Sequence, residues 1–157
     1  AKAKGVNPAI DTAGEPFTYD EPFFSAFEEL LPLTDLFLLD LKQIDDDVHR
    51  ALTGVSNASA LALAQFLAER GKRMWIRHVL VPGWTAGEDD LRRLSDFIAS
   101  LKTVDRVEVL PYHAMALHKY EELNLPYRLG DTPAPTAEEI ARAEEILRVG
   151  EYTGYLR

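Results

Sequence analysis

The feature of this chain that most restricts its fold is an alternation of short apolar runs with longer amphipathic segments. Apolar runs occur at 6–11, 36–39, 74–81 and 107–110, and each has the length of a strand. Segments with helical spacing of apolar residues separate them. Strands that alternate with helices are typical of βα units, whose strands are parallel. The sequence therefore predicts an α/β fold with about four parallel strands.

The helices are predicted from apolar spacing and from their end signals. They cover 22–31, 45–53, 57–70, a segment that begins at 85 and runs to 101, and a segment that begins at 136. Two stretches that start at Thr85 and Thr136 have the Thr-x-x-Glu pattern of a capping box. Four βα units are too few to close an eight-stranded barrel. We therefore expect 1–157 to be a single domain, either an open sheet or part of an incomplete barrel.

Composition excludes several kinds of function. The net charge is −9, which argues against a general nucleic-acid or anionic-membrane binder, since both need a positive surface. No run of 18 apolar residues is present, so no membrane span is expected. The chain contains no cysteine, and therefore has no thiolate for zinc or an iron–sulfur cluster. A cytoplasmic setting is expected.

Polar residues follow each predicted strand, where ligands bind in parallel α/β folds. The four strands carry or end at Asp11-Thr12, Asp40-Leu41-Lys42, Arg77 with Val79, and Leu110-Pro111-Tyr112-His113. Carboxylate, ammonium, guanidinium and imidazole groups together suit a zwitterionic ligand that contains a nucleoside. A pair of carboxylates with backbone carbonyls can also hold a hard cation.

Five short motifs occur in one order along the chain. They are D-L-K-Q at 40–43, G-V-S-N at 54–57, W-I-R at 75–77, V-P-G-W at 81–84 and L-P-Y-H at 110–113. In order and spacing the chain resembles the pyruvate formate-lyase-activating enzymes, a family of radical S-adenosylmethionine enzymes. The resemblance runs from Gly5 to Ile146, which is nearly the whole chain.

The resemblance implies a fold, a chemistry and partners. The family folds as an incomplete, six-stranded (β/α) barrel, so this chain would be a partial barrel of the radical S-adenosylmethionine type. A [4Fe-4S] cluster on a C-x-x-x-C-x-x-C loop cleaves S-adenosylmethionine. The resulting 5′-deoxyadenosyl radical abstracts hydrogen from a glycine of a glycyl radical enzyme, here expected to be pyruvate formate-lyase. An electron donor such as flavodoxin serves the complete protein.

The resemblance also implies roles for individual residues. The residues expected to contact S-adenosylmethionine are Asp40, Leu41, Lys42 and Arg77, with Val79 and Leu110 lining the adenine pocket and His113 near the ribose and adenine. Arg77 would also face the substrate peptide. A monovalent-cation site is expected from Asp11, Thr12, Asp40 and the Leu38 carbonyl. His78 is interpreted as structural, and His49 and His118 as surface residues.

The chain departs from the family in ways that leave alternatives open. The cysteine loop and the first two strands of the family pattern are absent, so we expect a fragment that keeps strands three to six and is inactive alone. Gly14-Glu15-Pro16 resembles the G-G-E motif of the family in its letters, but it follows Asp11-Thr12 and is interpreted as a loop. The alternatives are the activase of another glycyl radical enzyme and a cluster-free module that binds a partner.

Overall fold

Four parallel strands form one open sheet in the computed structural model, which describes residues 2–116, 120 and 122–156. The strands are β1 (Ala9–Thr12), β2 (Leu36–Asp40), β3 (Arg73–Leu80) and β4 (Val104–Pro111), and the sheet order is β1-β2-β3-β4. The described helices are α1 (Phe23–Leu30), α2 (Asp46–Thr53), α3 (Ala58–Glu69), α4 (Glu88–Ser100) and α5 (Ala137–Ile146). The predicted α/β class with four parallel strands is confirmed.

The helices cover one face of the sheet, and the core lies between them and the strands. The alternation within β3 shows this. Met74, Ile76 and Leu80 are 0% exposed and His78 is 1% exposed, whereas Trp75, Arg77 and Val79 are only half-buried. The helical side of this core is supplied chiefly by Leu63, Leu67, Leu91, Leu94, Ile98 and Leu147. Burying such side chains contributes about 1.5–3 kcal/mol each. This layer fixes the strands and so places the residues that follow them.

The opposite face of the sheet is only partly covered. In β2, Phe37 and Leu39 are 0% exposed, whereas Leu36 and Leu38 are half-buried. The continuous apolar run at 36–39 predicts a strand buried on both faces. That prediction is wrong, because the described helices pack against one face alone. We call the second face, which carries Leu38, Asp40, Trp75, Arg77 and Val79, the open face.

The C-terminal turn covers one end of the open face. The Arg106 guanidinium lies between two rings, 5.0 Å from the Trp75 centroid and 4.7 Å from that of Tyr155. Both distances allow cation–π attraction. Arg106 also pairs with Glu108 at 2.6 Å. Because Trp75 and Arg106 precede Arg77 and Glu108 on their strands, this cover leaves the carboxyl ends of the strands free.

The two predicted capping boxes have different outcomes. Thr136 caps α5 as predicted, since its side chain and that of Glu139 each bond the other's backbone N–H. Thr85 does not cap α4, whose N-cap is Gly87. The Thr85 hydroxyl instead donates to the Val79 carbonyl and accepts from the Val81 N–H, both at 2.7 Å. It therefore closes the turn after β3.

The structure also corrects the surface prediction for one histidine. His49 is 6% exposed, and its Nδ1 lies 2.8 Å from the Val55 carbonyl oxygen, so the surface prediction is wrong. The helical turn buries it because α2 ends at the left-handed Gly54, which folds Val55 back onto the helix. His118 lies outside the described residues. Gly14 lies in a loop as interpreted, buried and with φ of 88°.

Within the described part of the chain, no single helix is long and apolar enough to cross a bilayer. The bent pair α2 and α3, at 115°, reaches that length and composition only when joined.

Candidate functional site

The carboxylate of Asp40 lies at the carboxyl end of β2 and has a cation on each oxygen. Oδ1 accepts a hydrogen bond from Arg77 Nε at 2.7 Å, and Oδ2 accepts one from Lys42 Nζ at 3.0 Å. Asp40 pairs with Arg77 in the parallel ladder, so both side chains share the open face. The side chains of Asp40 and Arg77 are each 18% exposed and that of Lys42 is 33% exposed. These ion pairs are sheltered yet reachable from solvent.

Arg77 extends the ion pair to β1. Its Nη1 donates to Asp11 Oδ2 at 2.9 Å, and Nη2 donates to the other oxygen of the same carboxylate. These carboxylates raise the pKa of Arg77, with the Asp11 hydrogen bond as the largest cause. The fork of a guanidinium suits such two-point binding. The predicted charged residues of β1, β2 and β3 thus form one row, which we call the charged row: Asp11, Arg77, Asp40 and Lys42.

The predicted monovalent-cation residues are only partly brought together. Asp11 and Asp40 lie on either side of the Arg77 guanidinium, which supplies the positive charge between them. Thr12 pairs with Leu39 on the helix-covered side of the sheet, and its hydroxyl accepts from the Gly14 N–H at 3.0 Å. No group of three or more His, Asp or Glu side chains in the described residues is placed to hold a metal. The cation remains a prediction.

An apolar surface lies beside the charged row. Val79 and Leu110 are partners in the β3–β4 ladder and are both half-buried on the open face. His113 follows β4 at the same edge and is exposed. Tyr112, between them, is 7% exposed, and its hydroxyl lies 2.5 Å from that of Tyr127. This contact and burial raise the pKa of Tyr127 to about 12, with burial the larger cause.

Leu41 is placed differently from its two neighbours. Its side chain is 2% exposed within the core, whereas Asp40 and Lys42 project onto the open face. The Leu41 backbone, in contrast, contacts β3, because its N–H donates to the Arg77 carbonyl at 3.0 Å. The ladder between β2 and β3 therefore continues one residue beyond Asp40.

Sequence reasoning missed a set of buried polar side chains behind the charged row. We call it the buried polar network, and its members are Gln43, Asn57, His78 and Thr85, all between 1% and 6% exposed. Gln43 Nε2 donates to the Trp84 carbonyl at 2.8 Å and to Asp90 Oδ2 at 3.0 Å. Asn57 Nδ2 donates to the carbonyls of Gln43 at 3.1 Å and Ile44 at 2.8 Å.

The network joins the loop after β2 to the turn after β3. Gln43 donates to the turn after β3 and to α4, while Asn57 and His78 contact carbonyls of the loop after β2. Backbone carbonyls that these loops would leave unpaired are thereby satisfied. A signal for two members was present in the sequence. Gln43 and Asn57 are the final letters of D-L-K-Q and G-V-S-N, and their place in those motifs reflects loop structure.

Sequence comparisons find relatives among curated proteins. Over 99% of its length the chain is 41% identical to the pyruvate formate-lyase-activating enzyme of Streptococcus mutans. It is 42% identical over 96% of its length to that of Listeria monocytogenes, and 38% identical over 93% to pyruvate formate-lyase 1-activating enzyme of Escherichia coli. The chain spans 58–61% of the length of these relatives. No protein-family model matches the chain.

Structure comparisons agree on the fold. The crystal structure of a domain of pyruvate-formate lyase-activating enzyme from Bacteroides vulgatus has a TM-score of 0.74 at 24% identity, covering 97% of this chain and 81% of that one. Coproporphyrinogen III oxidase from Escherichia coli, a radical S-adenosylmethionine enzyme, has a TM-score of 0.59 at 13% identity, covering 93% of this chain and 32% of that one. The open sheet therefore shares its fold with these proteins and forms a partial (β/α) barrel. With its sequence matched along nearly its whole length, the chain is a relative of the pyruvate formate-lyase-activating enzymes, and the resemblance stated from its motifs is confirmed.

Proposed function

We propose that this chain is the S-adenosylmethionine-binding part of an enzyme that generates the glycyl radical of pyruvate formate-lyase. The relatives' names support the activity, and the charged row supports the ligand. The row is the observation that carries the proposal. It presents an ammonium and a sheltered carboxylate side by side at the carboxyl ends of parallel strands.

The residues present fit S-adenosylmethionine. Lys42 and Asp40 offer complementary charges for the carboxylate and the ammonium of its methionine part. Val79 and Leu110 offer an apolar surface on which an adenine ring can lie. The exposed imidazole of His113 can hydrogen-bond a ribose hydroxyl or a purine nitrogen. When bound, S-adenosylmethionine would supply the 5′-deoxyadenosyl group, and the residues here would hold and orient it.

The chain does not fit the iron–sulfur cluster. It has no cysteine, and clusters of this type are held by thiolates. We derive no step through the cluster from these residues. The cluster, the electron donor such as flavodoxin, and the glycyl radical partner all belong to the proposal for the complete protein, as does the cytoplasmic setting.

Binding of S-adenosylmethionine to the chain is expected to be weak. The family places part of the ligand on the cluster and on the G-G-E strand, which this chain does not supply. Each missing charge-assisted contact costs about 1.5–3 kcal/mol, so the dissociation constant should lie at about 1 mM. Isothermal titration calorimetry measures it, and a micromolar constant would contradict this assignment of contacts.

A reconstitution experiment tests the activity. The chain is mixed anaerobically with a separate polypeptide that carries the cysteine segment of a relative, and then with iron, sulfide, S-adenosylmethionine, reductant and pyruvate formate-lyase. A glycyl radical signal by electron paramagnetic resonance is expected, with a weaker signal for the Asp40→Asn variant at the same subsaturating concentration of S-adenosylmethionine. Radical formation on a different glycyl radical enzyme would favour the second activase assignment. Tight binding of pyruvate formate-lyase without any signal would favour the partner-binding module.

A further inference from the structure

His78 is a buried titratable residue directly behind the charged row. The alternation of β3 turns it to the helix-covered face, while Arg77 and Val79 on either side face the open side. It is 1% exposed, and each ring nitrogen faces a backbone carbonyl. Nδ1 lies 2.9 Å from the Leu41 oxygen, and Nε2 lies 3.1 Å from the Thr85 oxygen.

The first of these carbonyls belongs to the segment that presents the ligand-binding charges. Leu41 stands between Asp40 and Lys42, and β3 holds both of its backbone polar groups. Its N–H donates to the Arg77 carbonyl at 3.0 Å, and its carbonyl meets the His78 ring. A rotation of the backbone at Leu41 would break one or both contacts and would turn the Asp40 and Lys42 side chains away from their present direction.

A histidine is a costly choice for packing alone at this position. The other β3 residues on the same face are apolar: Met74, Ile76 and Leu80. Burial lowers the pKa of His78, so the ring is neutral at pH 7 and has one N–H. With one N–H the ring can donate to only one of the two carbonyls, and the other ring nitrogen faces an oxygen without a proton between them; we take Nδ1, which has the shorter contact, as the donor. An apolar side chain would avoid this unfavourable contact, which indicates that the bond to Leu41 is what the ring provides.

We propose that His78 is a positioning residue for ligand binding, which holds the Leu41 carbonyl and so fixes the backbone that presents Asp40 and Lys42 to S-adenosylmethionine. The part of this inference that concerns S-adenosylmethionine rests on the proposed function, whereas the part that concerns the backbone of Leu41 does not. Gln43 secures the same segment from its other side through Trp84 and Asp90. His78 thus acts on the ligand through the backbone, without touching it.

The chain offers a matched control in His49. It is also buried, at 6% exposed, and its Nδ1 also lies 2.8 Å from a backbone carbonyl, that of Val55. His49 is in α2 and contacts none of the charged row through its bonds in the described residues. His78→Phe and His49→Phe therefore remove comparable interactions, of which only one concerns the site. His78→Asn keeps a donor at the place of Nδ1, whereas His78→Gln keeps one at the place of Nε2.

Two measurements test the proposal. Amide hydrogen exchange of the ligand-free variants, read by NMR, should speed up at least tenfold at Leu41 in His78→Phe and change less than threefold there in His49→Phe. The Gly54 amide donates to the Arg50 carbonyl near His49. Its exchange should speed up at least tenfold in His49→Phe and change less than threefold in His78→Phe. The affinity for S-adenosylmethionine should fall at least fivefold in His78→Phe, stay within twofold in His49→Phe, and recover in His78→Asn but not in His78→Gln.

The outcomes separate this inference from the proposed function. If the wild-type chain binds no S-adenosylmethionine, the proposed function fails, while exchange at Leu41 still decides whether His78 holds the segment. If Leu41 exchanges equally in wild type and in folded His78→Phe, the inference is overturned. Should His78→Phe not fold, the comparison of Asn with Gln decides, and equal exchange at Leu41 in those two variants overturns it.

Discussion

Asp40 and Asp45 are five residues apart, yet their carboxylates have different tasks. Asp40 lies in the charged row between Arg77 and Lys42. Asp45 is the N-cap of α2, where its side chain accepts from the N–H groups of Asp47 and Val48. The bond from Val48 is the largest reason that the pKa of Asp45 is lowered, and the hydrogen bond from Arg93 is the second.

This difference gives the first prediction. Asp40→Asn should lower the affinity for S-adenosylmethionine about tenfold, because one charge-assisted contact and the orientation of Lys42 are lost. Asp45→Asn should leave the affinity within twofold, and should also keep α2 stable, since asparagine is a good N-cap. A ligand-induced thermal shift compares the two variants. Equal losses would show that the pocket has been placed wrongly.

Asp46 supplies a prediction about pH. Its carboxylate accepts from the Ser56 hydroxyl at 2.6 Å, the Asn57 N–H at 2.9 Å and Arg50 Nε at 2.8 Å. These bonds, with Ser56 first, lower its pKa to about 2 from an ordinary 3.8. The folded state therefore binds the proton more weakly than the unfolded chain. Its contribution to stability is present above pH 3.8 and is lost as the pH falls through about 2.

Asp46→Asn should accordingly lower the free energy of unfolding at pH 6, and the difference from wild type should shrink toward pH 2. Urea unfolding at pH 6, 4 and 3 measures the trend. Asp47→Asn, a change at an exposed neighbour without these bonds, is the control. A difference between Asp46→Asn and wild type that is independent of pH would mean that the carboxylate is not the group that matters.

At the scale of residues, the sequence predicted the charged side chains of the candidate site better than it predicted the buried polar network behind them. Asp11, Asp40, Lys42 and Arg77 could be found because polar side chains at strand ends are easily seen in a sequence. The pairing of Arg77 with both carboxylates could not, since it depends on strand register. His49 was assigned to the surface because a polar residue on a short helix reveals nothing about the loop that folds over it.

At the scale of elements, helices and strands were predicted from the spacing of apolar residues and from the signals at their ends. The errors lie where a tertiary contact competes with a local one. Thr85 and Thr136 both begin a Thr-x-x-Glu pattern. The Thr85 hydroxyl, however, hydrogen-bonds the backbone of Val79 and Val81 in the turn after β3 instead of capping α4. Likewise the 36–39 run could have been buried on both faces. Periodicity cannot tell how many layers of helix cover a sheet.

The loop between β1 and α1 provides a prediction at this scale. Gly14 has φ of 88°, and a Cβ built there would lie 2.4 Å from the Ala60 Cα of α3. Gly71 has φ of 66°, but a Cβ there would have no atom within 4 Å. Gly71→Ala should therefore cost about 1–2 kcal/mol for the left-handed backbone alone. Gly14→Ala should cost about 1–3 kcal/mol more, because backbone must move.

Urea unfolding of both glycine variants at neutral pH tests this. If the two variants lose the same stability, α3 does not pack against the loop as closely as the structure shows.

At the scale of the whole molecule, β1 is an edge strand whose proline does not protect it. The Pro8 carbonyl accepts from the Asp35 N–H at 2.9 Å, so Pro8 faces β2. Because successive residues of a strand face opposite sides, Ala9 and Asp11 direct their backbone groups outward. Such an edge is a template for pairing with another chain. The open face adds half-buried apolar side chains beside it.

We therefore expect this chain to associate at high micromolar concentration. Sedimentation velocity over a hundredfold range of concentration should show a boundary that shifts with concentration. Ala9→Pro, which removes an outward N–H, should reduce the association. A single monomeric boundary for the wild-type chain throughout the range would contradict the expectation.

The buried polar network has a consequence for the order in which the chain is made. Its side chains and their partners come from two consecutive βα units, and among the described residues these hydrogen bonds extend from Leu41 to Asp90. None of them uses β4 or α5. Synthesis proceeds from the N-terminus, so both units leave the ribosome before β4 does. We expect these hydrogen bonds to need neither Leu110 nor His113, so that the segment of Asp40 and Lys42 can be held before the residues proposed to contact the nucleoside are available.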